Sequence, residues 1–383
     1  MRLFCLFLAA ALLCGCAGTY EEQPSLPAPT EAVREVLSVP VEMAQPQTEP
    51  PDTVEMLLNT MTVEEKVGQL FLIRRNSATA LKDLETYRVG GFVFFAKDFQ
   101  GKNPDTLREL LQQYQSASAI PLLIAVDEEG GTVNRVSAHS AFRSEPFPSP
   151  REAYAAAGMD MVLSMEIEKG YLLSSLGINV NLGPVCDVVT NPQSFMYKRS
   201  LGEDPVVTAA FAIGASRQLA SFGVGSVLKH FPGYGDNLDT HIGAAVDQRS
   251  LEELESRDLV PFSLAALAGC QAIMVSHNTV TAMDAELPAS LSPAVHRYMR
   301  ETMGFDGVIV TDDLAMGAIR KNYGVGESAV LAVLAGNDLL CTTDYARQYP
   351  AVLEAVESGR IPMEQLNASV ERILRWKQSL GLI

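Results

Sequence analysis

The chain reads as an α/β protein, a single (β/α)8 TIM-type barrel over residues 53–383, preceded by a signal peptide and a disordered linker. Three observations predict this. Eight short apolar runs recur along the sequence, most of them separated by stretches with helical spacing. Several of the runs end in charged residues and histidines, and the N-terminal residues have the composition of an export signal followed by a polar tether.

The first helix is expected at Thr62-Val63-Glu64-Glu65, where Thr62 has N-cap chemistry and Glu65 stands at the capping-box position. The runs that follow are Val67–Ile73, Gly90–Phe95, Pro121–Val126, Ile178–Leu182, Val224–Leu228, Ala272–Val275, Val308–Thr311 and Asn337–Cys341. They are apolar without strict alternation, the pattern of strands buried on both faces. Helical spacing appears over Asp105–Ala119, Val206–Phe222, Leu251–Ala268 and Gly326–Ala335. A repeated βα order makes the strands parallel, and the residues just past their C-terminal ends then gather on one face, where such barrels carry their chemistry.

The N-terminal segments read differently. Met1–Gly15 has one positive charge, at Arg2, and an apolar stretch from Leu3 to Leu13, too short for a permanent bilayer span. Leu13-Cys14-Gly15-Cys16 resembles a bacterial lipobox, with Cys14 departing from the usual middle residue. The expectation is cleavage before Cys16 and its lipidation, which places the protein outside the cytoplasm on the bacterial membrane; simple secretion is the alternative. Residues 17–52 carry seven acidic residues against the single base Arg34, are rich in Pro, Gln and Thr, and have no periodicity, so a disordered tether is expected.

The net charge of −17 argues against nucleic acid or an anionic lipid surface as the main partner. Cys186, Cys270 and Cys341 lie in or beside apolar runs without CxxC spacing, and read as buried thiols. No Walker loop or dinucleotide fingerprint is present, and Leu72-Ile73-Arg74-Arg75 lacks the histidine pair a metal-dependent barrel hydrolase wants, so no cofactor or metal is expected.

The richest segment is Lys229–His241, KHFPGYGDNLDTH, directly after the run FGVGSVL. Lys229-His230 stand where the strand should end, and Pro232, Gly233 and Gly235 keep the following residues from helix. Asp239 and His241, two apart, can form a carboxylate–imidazole dyad; taken alone they equally suit a solvated turn with a capping aspartate and a surface histidine. Asp312-Asp313 after GVIVT and Asp127-Glu128-Glu129-Gly130-Gly131 after PLLIAV repeat the strand-end pattern. Three of the five histidines, His230, His241 and His277, lie at or past such ends.

AVDEEGGTVNR, INVNLGPVCDV, KRSLGEDP, KHFPGYGDNLDTH, MVSHN and GVIVTDDLAMGAI, in that order, resemble the bacterial β-N-acetylglucosaminidases of glycoside hydrolase family 3, over essentially all of Val54–Leu382. The resemblance implies a monomeric single barrel that removes terminal N-acetylglucosamine with retention, through a covalent glycosyl-enzyme. It implies Asp312 as nucleophile, His241 as acid/base and Asp239 as its partner, with Asp127, Arg135, Arg199, Lys229 and His230 holding sugar hydroxyls. These residue types suit those roles, since carboxylates accept from paired hydroxyls and Arg and Lys are fixed donors. His277 either touches the sugar or packs beside it, and Asp313 is expected to cap a helix. Tyr234, Glu128 and Thr240 depart from the residues common in the family. Glu128 is expected to add negative charge near the site unless it points away, and Tyr234 to alter closure of the loop. A phosphorolytic variant, a family 3 β-glucosidase drawing its acid/base from a second domain and a non-catalytic wall-binding lipoprotein are the alternatives. The expected partner is a carbohydrate, a peptidoglycan fragment or chitin oligosaccharide, with the membrane reached through the lipid anchor.

Overall fold

Every principal strand is short and parallel to its neighbours, and all are buried along their length except at Arg74, the last residue of the strand Phe71–Arg74. The computed structural model describes residues 52–202, 204–235 and 245–383. Cys16, the signal peptide, the tether, Asp239 and His241 lie outside the described residues.

The strands are β1 (Phe71–Arg74), β2 (Gly91–Phe94), β3 (Leu123–Val126), β4 (Val180–Asn181), β5 (Gly225–Ser226), β6 (Leu228–Phe231), β7 (Val246–Asp247), β8 (Ala272–Val275), β9 (Thr279–Val280), β10 (Val308–Thr311) and β11 (Leu340–Thr342). One parallel sheet runs β11-β1-β2-β3-β4-β5 and a second β10-β8-β6. Leu228 follows Ser226 by two residues, and a parallel bridge between Val310 and Leu339 links the second sheet back to the first. The pairings therefore run round through eight strand positions, an α/β arrangement consistent with a TIM-like domain. β7 and β9 form a small parallel pair outside that ring.

Local chemistry explains the element boundaries, including those that depart from expectation. The capping box at Thr62 forms as expected, with Glu65 N–H donating to Thr62 Oγ1 at 3.3 Å and Thr62 N–H to Glu65 Oε2 at 2.9 Å. The helix it starts runs through Gln69, so Val67–Gln69, expected in the first strand, belong to that helix and the strand begins at Phe71. The fifth run breaks at Val227 and resumes through Phe231, which puts Lys229 and His230 inside β6 rather than after a strand. Leu251–Ala268 is not one helix: a π turn over Leu254–Asp258, closed by Leu259 N–H to Leu254 O at 2.8 Å, separates Leu251–Glu253 from Val260–Leu267. Pro261, which lacks an N–H, sits in the first turn of the last segment, where it breaks no helical bond. The long helix Pro150–Leu176 carries no single apolar stripe and has non-helical backbone at Ala157 and Gly158, which hides it from periodicity.

Phe71, Phe92, Ile124, Val180, Val224 and Val308 belong to the main core shared by strands and surrounding helices. Each such side chain contributes about 1.5–3 kcal/mol on burial. Cys186 and Cys341 are buried free thiols and Cys270 is half-buried. Among the described residues no helix is long and apolar enough to cross a membrane.

Candidate active site

The residue after β3, Asp127, begins a charged cradle. Lys229, on β6, donates to Asp127 Oδ1 at 2.7 Å and lies 2.6 Å from Glu129 Oε1. Arg199 holds the same Glu129 with both arms, Nε to Oε2 at 2.8 Å and Nη2 to Oε1 at 2.7 Å. Burial opposes ionisation of Glu129, but the charges of Lys229 and Arg199 outweigh it and hold the carboxyl well below the ordinary carboxylate range. Burial likewise works against the Lys229 ammonium, and the Asp127 and Glu129 carboxylates overcome it and raise the group. From behind, the buried Lys169 donates to the Glu129 carbonyl at 2.7 Å and to Glu166 at 2.7 Å, fixing the backbone of this segment.

His230 is oriented by Asp187. Its Nδ1 lies 2.8 Å from Asp187 Oδ2 and its Nε2 lies 3.4 Å from Arg199 Nη2. Arginine only donates, so the geometry assigns the Nδ1 proton to the Asp187 bond and leaves Nε2 as acceptor. Asp187 also accepts from Tyr234 N–H at 2.8 Å, and the buried Tyr234 ring packs edge-on against His230 and Phe195. Tyr234 thus braces the start of the segment that leads to residues 236–244. Gly235, with φ of 56°, lies so close to Arg249 that a Cβ would come within 2.6 Å of the guanidinium. Arg249 in turn pairs with Asp247 and Asp258, both at 2.6 Å. Burial pushes the Asp258 carboxyl up to about 6, against the opposing pull of Arg249.

Glu128 turns away from this cradle. Its carboxylate accepts the N–H groups of Arg135, Val136 and Ser137 at 2.8, 2.7 and 3.1 Å, and the Ser137 hydroxyl. The extra negative charge expected near the site is spent on shaping the loop that presents Arg135. Arg135 reaches to 3.8 Å from Asp127, and its buried Nε has no partner among the described residues.

Asp312 follows β10, where its N–H continues the pairing to Val275 O at 3.0 Å and its Oδ1 accepts from Asp313 N–H at 2.8 Å. Asp313 does not cap the next helix, which starts at Gly317 after Met316. It accepts from Ala315 N–H at 2.9 Å, Thr343 N–H at 3.1 Å and Thr343 Oγ1 at 2.9 Å, which ties the end of β10 to that of β11. Burial raises its carboxyl. His277 donates from Nε2 to the Asp313 carbonyl at 3.0 Å and lies 2.7 Å from Ser290 Oγ through Nδ1. It packs behind the two aspartates.

Asp127, Glu129, Arg135, Arg199, Lys229, His230, Asp312 and Asp313 line one cavity of about 360 Å³, together with Arg74, Phe95, Met316 and Thr342 among others. Six of the expected site residues (Asp127, Arg135, Arg199, Lys229, His230 and Asp312) therefore converge, and His277 stands outside the lining. Sequence reasoning passed over Glu129, Asp187 and Arg74, although each follows or ends an apolar run. A pocket with a carboxylate on one wall and a fixed array of donors and acceptors on another suits a polyhydroxylated ligand. Among the described residues no cluster of three His, Cys, Asp or Glu is arranged to hold a metal ion.

Comparison with known proteins agrees in kind. The Beta-hexosaminidase LpqI of Mycobacterium tuberculosis is 30% identical over 384 residues, covering 96% of this chain and 95% of that protein. A Beta-hexosaminidase of Xylella fastidiosa is 35% identical over 255 residues, covering 65% of this chain and 74% of the relative. The solved glycoside hydrolase family 3 beta-N-acetylglucosaminidase from Paenibacillus sp. superposes with a TM-score of 0.79 at 35% identity, over 84% of this chain and 63% of that one. Residues 62–376 match the Glycosyl hydrolase family 3 N terminal domain, and the chain belongs to that family.

Proposed function

We propose that the chain is a retaining exo-β-N-acetylglucosaminidase that releases terminal β-linked N-acetylglucosamine from peptidoglycan fragments or related glycans. The observation that carries this reading is the convergence of Asp312 with the Asp127–Lys229–Glu129–Arg199 cradle in one cavity, in a chain whose relatives are named beta-hexosaminidases. The eight strand positions then form one closed (β/α)8 barrel, and the cavity lies at its C-terminal face.

In the proposed chemistry the sugar hydroxyls sit against Asp127, Lys229, Arg199, His230 and Arg135. The Asp312 carboxylate attacks the anomeric carbon as His241, oriented by Asp239, gives its proton to the departing glycosidic oxygen. An ester between the sugar and Asp312 results. Neutral His241 then takes a proton from water, the water oxygen bonds to the anomeric carbon, and the bond to Asp312 breaks. Retention follows from the two displacements. The proposal includes a monomer held outside the cytoplasm on the bacterial membrane by a lipid on Cys16, with residues 17–52 as tether.

The test uses purified chain with aryl N-acetyl-β-glucosaminide and aryl β-glucoside, with and without chelator and phosphate. Faster cleavage of the N-acetyl substrate, unaffected by chelator and yielding free N-acetylglucosamine even in phosphate, is expected. A preference for the glucoside, or a sugar phosphate as product, contradicts the reading.

A further inference from the structure

Gly235 and Ala245, the two described residues that flank residues 236–244, are tied to one arginine. At Gly235 the chain passes so near Arg249 Nη2 that only a residue without a Cβ fits. Beyond the segment, Ala245–Asp247 is fixed on β9: Ala245 O accepts from Thr279 N–H at 2.8 Å and Asp247 O from Thr281 N–H at 2.9 Å. The Asp247 carboxylate then grips Arg249 with both oxygens, Oδ1 taking Nε at 3.0 Å and Oδ2 taking Nη2 at 2.6 Å. The remaining arm of the same guanidinium, Nη1, donates to Asp258 Oδ2 at 2.6 Å.

Asp258 closes the π turn over Leu254–Asp258, a distortion of a kind that recurs at functional sites. The preceding residue, Arg257, donates to Val188 O at 2.9 Å, which docks the turn on the segment that carries Asp187. On the other side runs Gly233, at φ 115°, where a Cβ would come within 2.8 Å of Asp258 Cβ and 2.9 Å of Asp258 Oδ1. That Oδ1 is buried and has no partner among the described residues. A buried carboxylate with one idle oxygen is a cost to the fold, and its other oxygen is spent on Arg249. The charged groups that face Asp258 are Arg249 from the segment after β7, Arg257 from its own turn and Asp187 from the segment after β4.

We propose that Asp258 is a positioning residue for the reaction: through Arg249 it fixes the two ends of the segment whose sequence carries Asp239 and His241, and against Gly233 it backs the turn that follows Lys229 and His230. The inference rests on the glycosidase reading above and adds a residue that acts on the acid/base without touching the sugar. Burial pushes the Asp258 carboxyl up to about 6 against Arg249 and Arg257, with Asp187 adding a smaller push. The charged pair with Arg249 is therefore complete above that value and is lost as pH falls through it.

The experiment uses Asp258→Asn, which keeps the shape and removes the charge, with an aryl N-acetyl-β-glucosaminide as substrate. At about pH 8 its kcat should fall about tenfold, because a displaced base slows attack by water. Azide, which needs no base, should recover most of that loss. Inhibition by free N-acetylglucosamine should be unchanged, because Asp127, Lys229 and Arg199 keep their contacts. The ratio of wild-type to variant kcat should shrink toward one at about pH 5, where the wild-type chain has itself lost the pair. Arg249→Gln breaks the same contact from a partly exposed side chain, and should show the same loss, recovery and pH dependence; urea melts confirm that the variants assayed are folded. Wild-type kcat at about pH 8 in the folded variants, or a loss that azide leaves in place and that is constant with pH, overturns the inference alone. A wild-type chain that cleaves no aryl N-acetyl-β-glucosaminide overturns the glycosidase reading and the inference with it.

Discussion

The two ends of the parallel strands carry the same kinds of residue and use them differently. At the N-terminal end, Asp338 is buried and both its oxygens are taken, by Arg300 at 2.6 Å, Ile309 N–H at 2.8 Å, Ser369 at 2.9 Å and Arg372 at 3.1 Å. Lys377, fully buried, gives its ammonium hydrogen bond to Gln69 at 2.7 Å. At the C-terminal end, Asp127, Glu129, Lys229 and Arg199 are bonded just as densely, and both networks border a cavity, of about 360 Å³ here and of about 300 Å³ beside Asp338. A buried charge network therefore does not by itself mark a site. What distinguishes the candidate functional end is what its cavity collects besides the network: His230, the loop residue Arg135, and the strand-end aspartates Asp312 and Asp313.

That contrast predicts opposite separations of activity from stability. Asp312→Asn should lower turnover by about four orders of magnitude on every substrate while moving the unfolding midpoint little, as steady-state kinetics and denaturant melts will report. Asp338→Ala strands Arg300 and Arg372, so it should cost about 3–5 kcal/mol of stability and leave kcat of the folded fraction near wild type. A large loss of kcat in the second variant would break the distinction between the two ends.

The smallest effect at any one pH step concerns Lys377. Burial pushes its ammonium down to about 7 from the model-compound value of 10.5. The unfolded chain then binds more protons than the folded one between those two values, so stability should rise with pH across that window, by at most about 1.4 kcal/mol per unit. The contribution is absent below the folded value, where both states are protonated and the buried charge is a standing cost. Lys377→Met should flatten the slope between pH 7 and 10 in urea titrations relative to wild type. An identical slope in the two proteins would show that this lysine does not sense its burial.

The fold was legible in sequence because strands buried on both faces must be short and apolar, and runs such as PLLIAV and GVIVT admit few other readings. Boundaries were less so. Val67–Gln69 are apolar enough for a strand yet continue a capped helix, and the π turn at Leu254–Asp258 leaves no mark in composition. Asp127 and Asp312 could be named because a charge just past a buried strand has few structural reasons to be there; Lys229 stood out in the same way although it lies inside β6, and Arg199 followed only from the resemblance of KRSLGEDP to the family motif. Glu128 and Glu129, adjacent and identical, could not be told apart: one is turned onto the backbone of residues 135–137 and the other onto Lys229 and Arg199. Only the path of the chain through Gly130 and Gly131, both at positive φ, sorts them. Arg74 was passed over because its role depends on a stack with Phe95, a neighbour from another strand end.

The central claim is that Asp312 carries the sugar between the two steps, and it is tested most directly by trapping. In His241→Ala an aryl leaving group departs without an acid, whereas water lacks its base, so the second step should be slow. Rapid mixing with the aryl N-acetyl-β-glucosaminide should give a stoichiometric burst of phenol, and mass analysis should find one added N-acetylglucosaminyl group on the peptide that contains Asp312. Azide, which needs no base, should restore turnover. Absence of both burst and label, or a label on a peptide without Asp312, would contradict the account.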